Sequence, residues 1–534
     1  MTSTCTDPVD ERPPTPVADV VVHGASVWGA QGPIPGATSV AIRSGEILAV
    51  GAAADVRAHE GRATEVVRVP GGTILPGLVD AHGHLHGLGL RMETLDLVGT
   101  RSAAEVVAKA REAASRAAPG EWIVGRGWDQ NDWAQAAFPD RSELDAAVAD
   151  RPVYLRRVDG HAAWVNSEAL SLAGISKGTP DPAGGRIVRR PDGEPSGVLV
   201  DNALDLVVAV QPKPDRATIE RRVLAAAAHL ASVGLTGLHD MGEPPEVVAV
   251  LRALDSERRL PIRLHVYLEG SEPGTSALLA EGPRPAEPGS LLSVIGVKYY
   301  LDGALGSRGA ALLAPYSDDP GNVGLLLTQP DRLQALATDA SDRGFQIAVH
   351  AIGDRANRLA LDILAPLAAR AKRPPRVEHA QIVSPDDLSR FGAENIVASM
   401  QPTHCTSDSR WAGARLGPAR EPGAYAWKTI AARGGLLAFG SDAPVEDPDP
   451  RFGLSAAVTR NGWHPEEALS MSEAVRAFSE GAARAVGEGE LRGQVAVGRQ
   501  ADLTVFDGPI GTAQEVQRAR VALTVVAGRI VSGR

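Results

Sequence analysis

With 534 residues, the chain is long enough to bury a large core and to hold more than one domain. Its formal net charge of −11 argues against nucleic acid or an anionic membrane as a partner, and its 44% hydrophobic content is that of an ordinary soluble protein. The two cysteines, Cys5 and Cys405, exclude a disulfide scaffold. With no signal-peptide layout and no membrane-length apolar run, these features predict a cytoplasmic protein that acts on a small molecule.

Both ends of the chain carry short strand-like runs. Residues 1–17 are polar and rich in proline, and we predict that they are disordered. Residues 18–74 contain apolar runs separated by turn residues, which is typical of a small all-β unit. Residues 490–534 have the same character. Neither end is long enough to form a β-sandwich alone, but the two segments together could form one.

A cluster of imidazoles follows the apolar run at residues 74–79, which predicts a short buried strand. Residues two apart in a strand project from the same face, so His82 and His84 point together. Two such imidazoles are half of a metal site, because neutral imidazole is the commonest protein ligand of zinc-like ions. The alternative is a loop that is merely rich in histidine and glycine.

Residues 101–214 form a region far longer than one strand–helix–strand crossover needs, so we predict an insertion subdomain there. Trp122 and Trp164 are expected to pack in its own core. Trp128 and His161 are flanked by glycines and polar residues. For these two, a role facing a pocket competes with simple packing.

From residue 217 onward, helix-like and strand-like segments alternate, which is typical of βα units. The alanine-rich pattern of residues 217–233 predicts a helix. Seven strand-like runs follow, at residues 234–240, 262–268, 294–303, 345–350, 376–379, 396–402 and 436–444. With the strand before His82 they make eight, the number that closes a (β/α)8 TIM barrel.

Chemistry in such barrels lies at the carboxyl ends of the strands. The polar residues that close the predicted strands are His82, His84, Lys298, His350, His379 and Asp442. Each follows an apolar run, where a charged or imidazole side chain is unfavourable without a partner. A single strand-end histidine is more often a hydrogen-bonded core residue. Six such residues at one end of a barrel predict a metal centre.

The Pro-Gly-x-x-Asp-x-His-x-His frame of residues 76–84 resembles the opening motif of the amidohydrolase superfamily of metal-dependent hydrolases. The order of ligands on strands one, four, five, six and eight resembles its binuclear members. The resemblance implies an α/β fold with a (β/α)8 TIM barrel at residues 75–489. It also implies a β-sandwich split between residues 18–74 and 490–534, and the long insertion after barrel strand one.

The resemblance further implies that CO2 carboxylates Lys298 and that the resulting carbamate bridges two divalent ions, with zinc expected. A carbamate offers two anionic oxygens to ions roughly 3.5–4 Å apart, and a metal-activated hydroxide would attack the substrate. Asp442 would bind one ion and carry the proton to the leaving amine. The alternative is an unmodified Lys298 paired with Asp302 or Asp442 in a mononuclear site.

Finer motifs resemble the YtcJ-like branch, the amidohydrolase 3 group. They lie at residues 298–308, 350–356, 378–381 and 159–161, with Trp128 in the insertion. One activity of that branch is the hydrolysis of N-substituted formamides, so we expect hydrolysis of a non-peptide C–N bond. We also expect His161 to act catalytically on the substrate carbonyl or the leaving group. Trp128, His161 and Asp302 are expected to bind the substrate.

Other functions stay open. A mononuclear deaminase of the same superfamily carries a His-x-x-Glu-type acid after strand five, whereas Ala-Ile-Gly follows His350. A non-catalytic scaffold with this fold typically loses ligands, and this chain keeps all six. The metal stays open among Zn, Mn, Fe and Co, and a homodimer is one option for assembly. His86, and Cys405 beside His404, fall outside the motif and receive no role.

Overall fold

The structure is a computed structural model that describes residues 16–29, 31–118, 120–135, 137–157, 162–182, 185–201, 203–272, 274–306 and 308–533. Its described residues divide into two compact units. One comprises the chain up to Leu88 and from Val223 onward, and the other comprises Gly89–Arg222. Residues 1–15 of the predicted disordered tail lie outside the described residues. Among the described residues, no helix combines the length and apolarity that crossing a membrane requires.

The N-terminal segment folds into short strands because its apolar runs are interrupted by turns. Its elements are β1 (Val20–His23), β2 (Ser26–Gly29), β3 (Gly32–Pro33), β4 (Ser39–Arg43), β5 (Glu46–Gly51), α1 (Ala53–Val56), β6 (Glu65–Arg68) and β7 (Thr73–Pro76). Ser44 and Gly45 join β4 to β5 with φ angles of 52° and 85°. Two consecutive positive φ angles are typical of the type I′ turn, one of the two common two-residue hairpin turns. Four of the strands form a sheet in the order β5-β4-β1-β6.

After β8 (Leu78–Gly83) and α2 (Leu85–Glu93), the chain builds the second unit around a separate six-stranded sheet. Its elements are β9 (Leu95–Asp96), α3 (Ala103–Arg116), β10 (Ile123–Trp128), α4 (Arg141–Ala147), β11 (Val153–Arg157), β12 (Ala162–Val165), α5 (Ser167–Leu172), β13 (Gly185–Arg189), β14 (Pro195–Asp201) and α6 (Asp205–Val208). The strand order is β13-β14-β12-β11-β10-β9. Trp164 is buried in this unit's core and Trp122 packs against a neighbouring cluster, which confirms the packing predicted for both.

The first unit contains an eight-stranded parallel sheet that starts at β8. The other strands are β15 (Leu235–Glu243), β16 (Arg263–Glu269), β17 (Leu292–Tyr300), β18 (Gln346–Ala351), β19 (Arg376–His379), β20 (Val397–Met400) and β21 (Leu436–Phe439). They pair in sequence order as a nearly closed barrel, which confirms the predicted eight strands. Their side chains are buried almost without interruption, as expected of strands covered on both faces.

Helices occupy the connections between the barrel strands. They are α7 (Arg216–Ser232), α8 (Pro245–Ser256), α9 (Thr275–Glu281), α10 (Pro330–Asp342), α11 (Asp354–Ala368), α12 (Arg390–Ala393), α13 (Pro402–Asp408), α14 (Ala412–Leu416), α15 (Trp427–Ala432), α16 (Pro450–Thr459), α17 (Met471–Arg476) and α18 (Ala482–Ala485). Proline begins α8, α10, α13 and α16, where its missing N–H would lack an intrahelical partner in any case. Helix α13 begins directly after β20, so strand seven of the barrel leads into a helix at its carboxyl end.

The two ends of the chain share one sheet. The C-terminal elements are β22 (Leu503–Phe506), α19 (Ala513–Arg518), β23 (Val521–Val526) and β24 (Arg529–Ser532). The sheet order is β24-β23-β22-β7-β2-β3, with β22 antiparallel to β7. One apolar core contains residues from both ends, among them Val22, Ile74 and Val525.

A buried ion pair connects this shared sheet to the barrel. Asp502, which precedes β22, accepts hydrogen bonds from Arg263 of β16 through both carboxylate oxygens, at 2.7 and 3.1 Å. The two side chains are 6% and 8% exposed. Asp502 also accepts a hydrogen bond from the Ala527 N–H, so one carboxylate links three segments of the chain.

We predict that Asp502→Asn lowers the free energy of unfolding by about 3 kcal/mol, because it removes the carboxylate that contacts the buried Arg263 guanidinium directly. Thermal and urea unfolding of the purified variant would measure this change. The control is Asp339→Asn, which removes an exposed partner of Arg343 and should leave stability unchanged. Equal stability of the two variants would contradict the prediction.

Candidate metal centre

The structure brings the predicted strand-end residues together at the carboxyl end of the barrel. The His82 Nε2 atom lies 3.5 Å from Asp442 Oδ1 and 3.4 Å from Lys298 Nζ. The His84 Nε2 atom lies 3.1 Å from the same Asp442 oxygen. Strand one, strand four and the segment after strand eight therefore meet at one point, although Asp442 is 358 residues from His84 in the chain.

The other two predicted histidines adjoin this group. The His379 ring lies 4.7 Å from the His82 ring and 4.5 Å from the His350 ring, measured between centroids. Donor atoms of His82, His379 and Asp442 lie within 4.8 Å of one another, close enough to hold one metal ion. Among the described residues, the buried His350 Nε2 atom has no hydrogen-bond partner. The nearest carboxylate oxygen, Asp302 Oδ1, is 3.7 Å away.

Hydrogen bonds fix which ring nitrogen of each histidine faces the cluster. Three Nδ1 atoms meet acceptors: Glu378 Oε2 for His82 (2.5 Å), the Met241 carbonyl for His84 (2.7 Å) and Gln401 Oε1 for His379 (2.9 Å). An Nδ1–H that donates to such an acceptor leaves a lone pair on Nε2. This arrangement orients metal-binding histidines in proteins.

The electrostatic environment keeps three of the four imidazoles neutral. At His84, burial favours the neutral ring, but the hydrogen bond and the charge of Asp442 outweigh it and raise the pKa above its usual value. Burial, with the neighbouring Lys298 charge, lowers the pKa of His82 to about 4 and that of His350 to about 3. Burial and the adjacent imidazoles hold the pKa of His379 well below its usual value. Burial acts against ionisation of Asp442, but the neighbouring histidines outweigh it and hold the Asp442 pKa well below its usual range. Neutral imidazoles and an ionised carboxylate are the protonation states that metal binding requires.

Two residues of the cluster occupy strained backbone conformations. His379 has a φ angle of 73° and Asp442 one of 61°, in the left-handed region that favours glycine. Each such residue costs about 1–3 kcal/mol, and strain of this kind concentrates at functional sites. The Asp442 N–H donates to the His82 carbonyl at 2.7 Å, which holds the aspartate next to strand one.

Asp80 connects the first barrel strand to the segment that carries Asp442. Its carboxylate accepts hydrogen bonds from the Ser441 N–H at 3.0 Å, the Ser441 hydroxyl at 2.5 Å and the His82 N–H at 3.1 Å. Burial raises the pKa of Asp80 to about 6 despite these bonds. The motif at residues 76–84 contains this aspartate, but its partner Ser441, just after the last barrel strand, could not be deduced from the motif.

Lys298 is buried without an anionic partner. Its side chain is 1% exposed, and among the described residues no carboxylate oxygen lies within 4 Å of Nζ. The ion pair with Asp302 or Asp442 that was considered as an alternative is therefore not formed. Nζ lies 5.1 Å from the centre of the Tyr300 ring. Burial lowers the pKa of Lys298 to about 8, against the charges of Glu378 and Asp442, so the neutral amine is far more accessible than in a free lysine.

These residues fit a divalent cation. Imidazole nitrogens and carboxylate oxygens are the donors that zinc and related ions prefer. The unpartnered Nε2 atom of His350 is otherwise unexplained in a buried site. His82, His84, His350, His379, Asp442 and Lys298 are the residues that could hold metal.

Of the three predicted substrate residues, the structure describes two, and both make structural contacts. Trp128 is fully buried in the core of the second unit, where its indole N–H donates to the Leu155 carbonyl at 2.7 Å; this placement favours packing over substrate contact. Asp302 is fully buried and accepts hydrogen bonds from three backbone N–H groups, those of Ala311, Ile352 and Gly353. It therefore organises the loops that follow β17 and β18. His161 lies outside the described residues.

Comparisons with known proteins find relatives along nearly the whole chain. The profile of the family described as "Amidohydrolase family" matches residues 65–532. The chain is 35% identical over 486 residues to the amidohydrolase YtcJ of Bacillus subtilis (strain 168), a match that covers 88% of this chain and 90% of that protein. It is 27% identical over 544 residues to the N-substituted formamide deformylase of Arthrobacter pascens, covering 96% and 98% of the two proteins.

Similarity extends to solved structures. The crystal structure of an uncharacterized metal-dependent hydrolase from Pyrococcus horikoshii OT3 matches with a TM-score of 0.79 at 26% identity. The match covers 94% of this chain and 99% of that one. Both the barrel and the additional sheets therefore have counterparts in a protein of this class.

We predict that His82→Ala lowers the divalent metal content of the purified protein at least tenfold, because it removes one of the three closely grouped donors. The matched control is His86→Ala, which removes an imidazole four residues later in the chain. Elemental analysis of both variants after identical purification provides the measurement. Equal metal content in the two variants would argue against this cluster as the metal site.

Proposed function

The chain belongs to the amidohydrolase family, hydrolases of carbon–nitrogen bonds other than peptide bonds, and we propose that it cleaves the amide, N-formyl or cyclic amide bond of a small molecule. The observation that carries this proposal is the meeting of four imidazoles, one lysine and one carboxylate at a single end of the barrel. The deformylase relative acts on N-substituted formamides by its name, which favours an N-formyl substrate within this class.

We propose zinc as the metal, with two ions per chain if Lys298 is carboxylated. Bound divalent ions would polarise the substrate carbonyl and lower the pKa of water from about 15.7 to about 7. His82, His84, His350 and His379 would hold them through the lone pairs of ring nitrogens. The hydrogen bonds to Glu378, the Met241 carbonyl and Gln401 orient three of these rings before any ion arrives.

Asp442 is the proposed proton carrier. The neighbouring histidines hold its pKa well below the usual range, and its carboxylate lies beside His84 and His82, at 3.1 and 3.5 Å. In this position its carboxylate can accept a proton from the attacking water and return it to the leaving nitrogen. That transfer matters because an amine leaves readily only once its nitrogen is protonated.

Lys298 is the proposed site of carboxylation. Its buried amine has no carboxylate partner among the described residues, so the ammonium form is poorly stabilised. The neutral Nζ can attack the carbon of CO2, forming an N–C bond and releasing one proton. The resulting carbamate would place two anionic oxygens beside His82, close to the Asp442 carboxylate.

We predict that the zinc-loaded enzyme hydrolyses members of a panel of N-formyl amines, N-acyl amines and lactams, and that Asp442→Asn lowers their turnover about 10²–10⁴-fold. Asparagine keeps the shape of the side chain but cannot accept the proton. The control is Asp447→Asn, at an exposed position in the same loop. Near-normal turnover by Asp442→Asn would refute the proton-carrier role. If the enzyme cleaves esters tested alongside the panel but none of the amides, the proposed bond type is refuted.

We predict that Lys298→Ala loses both metal and activity, because no bridging anion remains, and that formate or acetate restores part of each by supplying that anion. Lys428→Ala, at an exposed lysine, is the matched control. Metal content and turnover are measured with and without the acid. Full activity of the parent protein with one ion per chain would contradict the bridging role, as would a failure of every short acid to rescue Lys298→Ala.

A further inference from the structure

Strand seven contributes none of the six metal-centre residues, yet polar side chains follow it directly. Residues 401–404 read Gln-Pro-Thr-His, and their polar members are 1%, 7% and 8% exposed. Within the described part of the chain, three buried atoms of this segment have no hydrogen-bond partner: Gln401 Nε2, Thr403 Oγ1 and His404 Nε2. Buried polar atoms are normally satisfied, so three exceptions within four residues indicate a missing ligand.

His404 lies beside the metal centre without belonging to its closest donors. Its ring is nearly parallel to that of His379, at 15° and 6.1 Å between centroids. Its Nε2 atom is 3.7 Å from Asp442 Oδ2, beyond hydrogen-bond distance. Among the described residues, the donor group that could hold one ion includes His379 and Asp442 but not His404.

A neighbouring amide determines where His404 carries its proton. The Gln381 Nε2 atom lies 3.2 Å from His404 Nδ1, both side chains being buried. Because an amide N–H donates, Nδ1 accepts, and the proton of the neutral ring is on Nε2. The unpartnered Nε2 atom beside Asp442 is therefore a hydrogen-bond donor.

Gln401 supplies a second donor from the same strand end. Its Oε1 atom accepts from His379 Nδ1 at 2.9 Å, which leaves the Nε2 amino group as the free end of that amide. Two N–H groups on residues that adjoin His379 thus lack acceptors next to the metal centre. A ligand that satisfies them must present an oxygen acceptor.

We propose that His404, assisted by Gln401, forms a subsite that binds the oxygen of the scissile carbonyl, the oxyanion that it becomes, and the carboxylate product. This inference rests on the proposed function. During hydrolysis, water adds to the carbonyl carbon, the C–N bond breaks, and the leaving nitrogen takes the proton. The carbonyl oxygen gains negative charge as the C–O bond to water forms, and donors placed at that oxygen stabilise the charge.

Two substitutions at His404 distinguish a role as hydrogen-bond donor from a role in filling space. Glutamine places an amide nitrogen near the position of Nε2, whereas asparagine reaches only the position of Nδ1. We expect His404→Asn to lower kcat about 10²–10³-fold, the usual effect of losing one such donor, and His404→Gln to retain clearly more activity. Metal content should match the parent protein in both variants. Loss of metal in both would identify His404 as a ligand and overturn the proposal.

Product binding provides a readout that needs no turnover. Calorimetric titration of the zinc-loaded protein with acetate and with formate should show a dissociation constant raised about tenfold or more in His404→Asn. The increase should be smaller in His404→Gln. If His404→Asn does not fold, Gln381→Leu removes the group that fixes the ring tautomer and should also weaken acetate binding. Unchanged acetate binding in His404→Asn, or in Gln381→Leu where that variant replaces it, would overturn the subsite. If no amide is hydrolysed but acetate binding still depends on His404, the proposed function fails while the subsite stands.

Discussion

The site depends on the hydrogen-bonded seam between the first barrel strand and the segment after the last one. Asp442 donates its N–H to the His82 carbonyl, and the His84 N–H donates to the Ala443 carbonyl. Asp80 adds its bonds to Ser441. These contacts hold Asp442 in a left-handed backbone conformation that it would not adopt alone. The seam therefore nearly closes the barrel and also brings a carboxylate to the two histidines of strand one.

Four buried carboxylates around this seam behave differently because their partners differ. Burial raises the pKa of Asp302 to about 7, and that of Asp80 to about 6, since their partners are mainly backbone N–H groups and a hydroxyl. Glu378 keeps a pKa well below its usual range because, against burial, Arg376 and His82 stabilise its anion. Asp442 is held low by histidines, which are also the residues that would bind metal. Only Asp442 thus combines a retained charge with a place among the candidate ligands.

The sequence predicted the barrel because its strands are continuous apolar runs that end on polar residues. Residues 294–303, 396–402 and 436–444 were nevertheless predicted too long, since the strands end at Tyr300, Met400 and Phe439. In the second case Pro402 begins a helix, as its missing N–H cannot continue a strand ladder.

The six strand-end residues were found because parallel strands bring their carboxyl ends together. Their orienting partners were not, because Gln401 and the Met241 carbonyl reach the histidines through tertiary contacts without a local pattern. At Trp128 the local sequence was misleading in the other direction. Its flanking glycines and polar residues left a pocket role open, whereas its indole packs in a core.

The central claim is that these strand-end residues bind catalytic metal. Anomalous diffraction from crystals of the zinc-loaded protein, recorded on both sides of the zinc absorption edge, tests it most directly. The account predicts a zinc peak in contact with the Nε2 atoms of His82 and His379 and with the Asp442 carboxylate, and a second peak beside His350 and Lys298 if the lysine is carboxylated. Zinc located elsewhere in crystals of an active enzyme, with these side chains uncoordinated, would contradict it.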